Sequence, residues 1–144
     1  MASVFDVAKY ILEKHGSMST WKLQKLVYYC QAWALVWDES PIFNEEIQAW
    51  ANGPVCPQLY AIHRTMYDIN VDALAFANSS TITEEQTETI DAVLDFYGNE
   101  TGYYLRELTH LEDPWLIARG DTPDGSPSKA VITHESMRDY YGSL

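Results

Sequence analysis

Histidine side chains beside acidic residues are the first candidates for chemistry in this sequence. His134 is followed by Glu135, as in the helical zinc motif where two histidines four residues apart flank a glutamate base. Arg138 occupies the position of the second histidine, and a guanidinium does not bind a metal ion. His110 and Glu112 have the His-x-Glu spacing of zinc deaminases, but the Pro-Cys-x-x-Cys half of that motif is missing. Neither zinc motif is therefore complete.

The two cysteines offer a second route to chemistry. A metal site made from Cys30, Cys56, His63 and His110 would have to be assembled by the fold, because no two of these residues have the close spacing of structural zinc ligands. Cys56 lies between two prolines and is the better candidate nucleophile, since Cys30 falls within an apolar helical pattern. A hydrolase site around His110, Glu112 and Cys56 is one hypothesis. We nevertheless expect a protein that is not an enzyme and needs no cofactor or metal.

Several polar residues lie within the most apolar stretches of the chain. These residues are Gln24, Gln31, His63, His110, Glu112 and Arg119. We interpret Gln24, Gln31, His63, Glu112 and Arg119 as a buried polar network that fixes the turns, because buried polar groups usually satisfy one another. In this interpretation Glu112 or Asp113 pairs with Arg119 or Arg64. The alternative is a polar centre within a recognition surface.

Charge and aromatic content favour a protein partner. Nine basic and 21 acidic residues give a net charge of −12, which repels a phosphate backbone and makes direct nucleic-acid binding unfavourable. A basic protein suits this charge better. Five Trp, ten Tyr and four Phe predict exposed rings of the kind that anchor interfaces, and a homodimer is also compatible with them. No apolar run reaches the length of a membrane span and no signal-peptide pattern is present, so we expect a cytoplasmic protein.

Hydrophobic residues recur at helical spacing along most of the chain, which predicts a mainly α fold. Capping residues and first-turn prolines mark the helix starts at Ser3, Ser19 or Thr20, Pro57, Thr83, Asp113-Pro114 and Thr133. Alternation near residues 46–51 predicts a short strand, followed by a turn at Gly53-Pro54, and residues 70–81 look irregular. We predict one domain over residues 1–144, a compact bundle of about six or seven helices with a small β element. The Gly- and Pro-rich segment 120–128 is predicted to be a mobile loop.

Three blocks of sequence carry a resemblance to a known family. The first contains LQKLVYYCQAW and, further on, QAWANGPVCPQLY; the second is LTHLEDPWLIAR; the third is ITHESMRDYY near the last predicted helix. Their order and content resemble the Panacea domain of SocA-like, phage-associated antitoxins and proteolytic adaptors. The resemblance covers roughly residues 5 to 142 and is far more specific than any single short motif.

The resemblance implies an antitoxin of a bacterial or phage toxin–antitoxin system. Such a protein neutralises a co-encoded toxin by direct binding, and the toxin would act on translation or replication. The alternative is a SocA-like adaptor that delivers its partner to a ClpXP-type protease. The expected toxin-binding residues are Trp50, Asn52, Gly53, Pro54, Tyr60, His110 and Trp115, although the same residues are also candidates for the core of the fold.

Overall fold

Helix α2, Thr20–Trp37, is the centre of the fold. The computed structural model describes residues 1–144, and α2 is buried on nearly all sides over its first sixteen residues. It is surrounded by α1 (Val4–His15), α4 (Glu84–Tyr97), α5 (Gly102–Thr109) and α7 (His134–Gly142). Two short helices complete the set, α3 (Pro57–His63) and α6 (Asp113–Arg119). The predicted mainly α fold with about seven helices is confirmed.

The helix starts follow the local signals in the sequence. The Ser3 hydroxyl accepts from the backbone of Asp6, whose carboxylate accepts from the backbone of Ser3, so α1 begins with a complete capping box. Thr83 and Gln86 form the same arrangement at α4. Proline occupies an early position in both α3 and α6, where a missing N–H costs nothing. These starts are predictable because each depends on residues within one turn.

The predicted strand near residues 46–51 is β2, Gln48–Trp50, and it belongs to a hairpin. Its partner is β3, Gly53–Val55, antiparallel, with Ala49 opposite Pro54. The turn therefore falls at Ala51-Asn52, and the predicted turn at Gly53-Pro54 is wrong. Proline is tolerated in β3 because Ala49 needs no donor from it. The carbonyl of Ala49 accepts from Arg119 at 3.1 Å, and the N–H of Ala49 donates to the carbonyl of Ala130 at 2.8 Å.

Residues 130–132 extend this small sheet on its other side. Val131 forms an isolated bridge with Gln48, and the backbone N–H of Ile132 donates to the carbonyl of Ile47 at 2.8 Å. A second two-stranded sheet, absent from the sequence prediction, pairs β1 (Met18–Ser19) with β4 (Asp68–Ile69). The irregular stretch after β4 contains two short 3₁₀ turns, Val71–Leu74 and Ser79–Thr81.

The core is one continuous cluster of buried apolar residues around α2. An aromatic group lies at one end of it, where the rings of Tyr29 and Tyr97 stack with centroids 4.0 Å apart. Helix α7 contributes Met137 and Tyr141 to the same core, so its packing completes the domain. None of the seven helices is both long and apolar enough to cross a bilayer.

Candidate functional site

Gln24 holds the segment between the hairpin and α3. Its side-chain oxygen accepts from the backbone N–H of Cys56 at 2.9 Å, and its amide nitrogen donates to the carbonyl of the same residue at 3.2 Å. The amide nitrogen also lies 2.9 Å from Nε2 of His63. Burial lowers the pKa of His63, which favours the neutral ring that can accept this hydrogen bond. The cluster fixes the end of the hairpin against α2.

Gln31 performs a similar role about two turns further along α2. Its oxygen accepts from the backbone N–H of Ile42 at 2.8 Å, and its nitrogen donates to the carbonyl of Phe43 at 2.8 Å. Both partners belong to the loop that follows α2 and leads to the hairpin. Gln31 therefore holds an irregular segment whose backbone groups are buried and have few other partners.

Glu112 is the N-cap residue of α6, but its side chain does not cap the helix. It turns into the core, where Oε1 accepts from the hydroxyls of Tyr29 at 2.7 Å and Tyr141 at 2.8 Å. The expected ion pair between Glu112 or Asp113 and an arginine is absent, and that prediction is wrong. Burial raises the pKa of Glu112, while the two tyrosine hydrogen bonds oppose the increase.

Arg119 ties three segments together. Its guanidinium donates to the carbonyl of Ala49 in β2 at 3.1 Å, and to the carbonyls of Pro123 at 2.8 Å and Ser126 at 2.7 Å. The guanidinium carbon lies 4.9 Å from the ring centroid of Trp115. Backbone carbonyls thus take the place of the predicted carboxylate partner, and they attach segment 120–128 to α6 and the hairpin.

The five polar residues expected to form one network occur in four separate groups. Only Gln24 and His63 contact each other among them, and the remaining partners are backbone groups or tyrosine hydroxyls. All five are buried. Each group positions a different segment around α2, which is the arrangement that supports the surface described next.

A partly exposed surface forms where the hairpin meets α3 and α5. We call it the hairpin face, and it consists of Trp50, Asn52, Tyr60 and His110. The Trp50 and Tyr60 rings meet edge to face with centroids 4.9 Å apart. The carbonyls of Arg106 and Ala51 lie 2.7 Å and 3.0 Å from the two ring nitrogens of His110.

The other three residues expected to bind a toxin are buried beneath the hairpin face. Trp115 is 3% exposed and donates from its indole to the carbonyl of Trp50 at 2.9 Å. Gly53 and Pro54 are buried in β3. These three residues determine how the hairpin face is held, and in this conformation they present little surface to a partner.

A second surface, on the opposite side of α5, was not identified from the sequence. This apolar groove has a volume of about 530 Å³. Its lining residues are Trp33, Trp37, Ala92, Val93, Phe96, Tyr97, Tyr104, Leu108, Glu112 and Leu144. Phe96 is 76% exposed and Trp37 51% exposed, so the groove presents large apolar groups to solvent. The sequence feature that could have revealed the groove is Phe96, a large apolar residue outside the buried stripe of α4.

The residues of the hydrolase hypothesis are not assembled into a catalytic arrangement. His110 faces backbone carbonyls with both nitrogens, and Glu112 is held by two tyrosines. Cys56 is buried, and burial raises the pKa of its thiol to about 11, which disfavours the reactive thiolate. Cys30 is buried as well. No group of three or more His, Cys, Asp or Glu side chains is arranged to hold a metal ion.

The fold and these surfaces define a small α-helical domain with exposed aromatic faces held by buried polar residues. A family model described as antitoxin SocA-like, Panacea domain, matches residues 23–116, and the chain belongs to this family. The match extends from α2 to the middle of α6 and includes the hairpin face and most of the apolar groove. Neither the curated proteins nor the solved structures provide a match.

Proposed function

We propose that this protein is a cytoplasmic antitoxin that neutralises a co-encoded toxin by direct binding. Membership of the SocA-like antitoxin family is the observation that carries the proposal. The toxin is expected to be basic, because the chain has a net charge of −12 and complementary charge accelerates and orients association. The toxin would act on translation or replication, as the family resemblance implies.

The hairpin face is the proposed contact surface. Trp and Tyr are enriched at the centres of protein interfaces, and here Trp50 and Tyr60 are partly exposed beside each other. The turn is braced from behind, since the indole of Trp115 holds the Trp50 carbonyl and Arg106 donates to the Asn52 side chain at 3.2 Å. A surface fixed in this way loses little conformational entropy on binding.

Co-expression with the neighbouring gene product tests the proposal. The wild-type protein should form a stable complex with the toxin and restore growth. Trp50→Ala should weaken the complex at least tenfold, whereas Trp37→Ala, a matched change in the apolar groove, should leave binding unchanged. If the neighbour is harmless, or remains toxic beside this chain, the antitoxin proposal fails. If Trp37→Ala weakens binding and Trp50→Ala does not, the proposed surface is wrong.

The apolar groove favours a second candidate function, that of an adaptor. An adaptor must hold its cargo and a protease at the same time, and α5 separates two exposed surfaces. Tyr104 and Leu108 line the groove, while His110 belongs to the hairpin face. In this alternative the partner is degraded faster by a ClpXP-type protease when the adaptor is present.

Partner half-life distinguishes the two functions. Occlusion alone leaves the half-life of the toxin unchanged or longer, and delivery shortens it in a protease-dependent way. For an adaptor, Trp37→Ala should abolish the acceleration while leaving toxin binding intact. An unchanged half-life in cells with an active ClpXP-type protease excludes delivery by this route.

A further inference from the structure

Lys25 is a buried cation without a partner. Its side chain is fully buried, and Nζ makes no hydrogen bond. Nζ lies over the indole of Trp21, 5.2 Å from its ring centroid. Buried polar groups in native proteins nearly always have a partner. A buried ammonium without one therefore calls for an explanation, and a ligand from outside the chain would provide the missing partner.

Lys25 lies in the wall of a surface groove with a volume of about 520 Å³, here called the Lys25 groove. Arg106 lines the same groove, and none of the lining residues is acidic although the chain carries a net charge of −12. Carboxylates border the lining without belonging to it. That of Glu107 lies 3.5 Å from one guanidinium nitrogen of Arg106, and Asp68 stands opposite Ser19 in the β1–β4 sheet. The lining of the Lys25 groove is itself cationic, on a protein that is acidic as a whole.

Two helices begin at the Lys25 groove. Ser19, the N-cap of α2, and Thr101, the N-cap of α5, both line it. The two starts touch, since a Cβ on Gly102 would lie 3.2 Å from Ser19 Oγ. Ser19 and Thr101 already accept from the backbone N–H groups of Lys22 and Tyr104. What the two helix N-termini add to the attraction for an anion is therefore mainly their partial positive charge.

Three aromatic side chains surround the same groove. Trp21, Tyr67 and Tyr103 line it and are 38%, 79% and 71% exposed. Exposed rings are platforms for planar bases, and such stacking contributes free energy whatever the base. The volume of the groove lies within the range of small-molecule sites. The combination of cations and rings matches a ligand that has both an anionic group and a planar group.

We infer that the Lys25 groove binds a small phosphorylated ligand of the nucleotide class. Its phosphate contacts Lys25 and Arg106 near the starts of α2 and α5, and its base lies against the exposed rings. A phosphate has three strong acceptor oxygens, enough to serve a lysine, an arginine and a helix start together. Trp21 covers Nζ in the free protein, so binding moves the indole and changes its fluorescence.

Isothermal titration calorimetry with the full-length protein tests this inference. The probes are inorganic phosphate, pyrophosphate, AMP, GMP, ATP, GTP and the unphosphorylated nucleosides. At least one nucleotide should bind at least tenfold more tightly than inorganic phosphate or its nucleoside. Lys25→Met and Arg106→Gln should each weaken that binding at least tenfold. Lys14→Met, which removes a surface lysine on α1, should leave it unchanged. Circular dichroism and thermal unfolding verify that each variant is folded.

Four results would overturn the inference. They are no binding of any probe at millimolar concentration, nucleosides binding as tightly as nucleotides, inorganic phosphate binding as tightly as nucleotides, and nucleotide binding that survives Lys25→Met. If no nucleotide binds and Lys25→Met instead weakens the complex with the toxin, the ammonium pairs with a carboxylate of the protein partner. The antitoxin proposal would stand in every one of these cases, because its test is growth rescue.

Discussion

Gly53 and Lys25 approach each other so closely that a side chain at position 53 would have to displace the end of the Lys25 side chain. A Cβ atom built on Gly53 would lie 2.5 Å from Cε of Lys25 and 3.2 Å from its Nζ. Gly53 also has a φ of +116°, a conformation that other residues rarely adopt. The hairpin and the central helix therefore meet at a glycine for two independent reasons, and the contact covers the buried ammonium.

Replacing Gly53 with alanine should destabilise the protein by about 3 kcal/mol, because steric overlap and backbone strain act together. Urea-induced unfolding measures the effect. Gly125→Ala is the matched control: its φ is +83° and nothing lies within 4 Å of the new Cβ, so only the backbone term of about 1 kcal/mol applies. In a Lys25→Leu background, which removes Cε, the cost of Gly53→Ala should fall. Equal losses at Gly53 and Gly125 would show that the close approach has no energetic consequence.

Lys25→Met should stabilise the protein on the order of 3 kcal/mol at pH 6, because it removes an unpartnered buried charge. Burial, together with the nearby charge of Arg106, lowers the pKa of Lys25 from 10.5 to about 7. The unfolded chain keeps the proton up to the higher pH, so the penalty is complete below pH 7 and fades between pH 7 and 10. The measurement is the difference in unfolding free energy between the wild type and Lys25→Met across this range. A difference that stays constant with pH would contradict a lowered pKa of Lys25.

Glu112→Ala should cost about 2 kcal/mol, because it leaves the buried hydroxyl of Tyr29 without an acceptor and leaves the Tyr141 hydroxyl with only the Tyr28 hydroxyl as a partner. Glu112→Gln keeps an acceptor oxygen and should cost much less. Tyr141→Phe removes one of the two donors and should fall between these variants. Chemical unfolding at constant pH gives the unfolding free energies of the three variants and so their order of stability. If Glu112→Gln were as damaging as Glu112→Ala, the negative charge itself would be required.

The same carboxyl group gives a second, pH-dependent expectation. Burial raises the pKa of Glu112 above its ordinary value of 4.5, so the unfolded chain releases this proton at lower pH than the folded chain. The contribution of Glu112 to stability is therefore complete below pH 4.5 and decreases as pH rises through the folded pKa. Relative to Glu112→Gln, the wild type should lose stability over that interval. If the wild type instead gained stability relative to Glu112→Gln as pH rises, the raised pKa of Glu112 would be refuted.

Arg119→Ala should destabilise the protein by about 3 kcal/mol and loosen segment 120–128, because three carbonyls lose a charged donor. Hydrogen exchange measured by mass spectrometry should show faster exchange in that segment and at β2. Arg64→Ala, an exposed arginine, is the control and should change neither. Unaltered exchange in segment 120–128 would mean that Arg119 does not hold it. Fast exchange already in the wild type would agree with the predicted mobility of the loop.

The parts of the fold that sequence reasoning predicts are those encoded locally. Ser3 and Thr83 each predict a helix start together with the residue three positions later, and both capping boxes form. Pro54 was misleading, because proline usually marks a turn and here occupies a strand position that needs no donor. The pairing of β1 with β4 involves two residues on each strand, too few for any periodic pattern.

The surroundings of the candidate site depend on contacts distant in sequence. Tyr29 and Glu112 are 83 positions apart, and no spacing rule brings a carboxylate on one helix cap to a hydroxyl in the central helix. Glu112 and Arg119 are about two helical turns apart, but Glu112 bonds to tyrosine hydroxyls and Arg119 to backbone carbonyls. The burial of Lys25 depends on the missing side chain at Gly53, which only the folded hairpin reveals.

Helix α7 has a consequence for how this protein is made. Its Tyr141 bonds to Tyr28 in α2, so one of the most buried contacts joins residues 113 positions apart. A nascent chain that has emerged from the ribosome only as far as α6 lacks this contact and leaves apolar surface of α2 uncovered. The core therefore closes only after α7 has emerged. A messenger broken before the α7 codons would yield a chain that chaperones and proteases recognise, which links the supply of active protein to translation through α7.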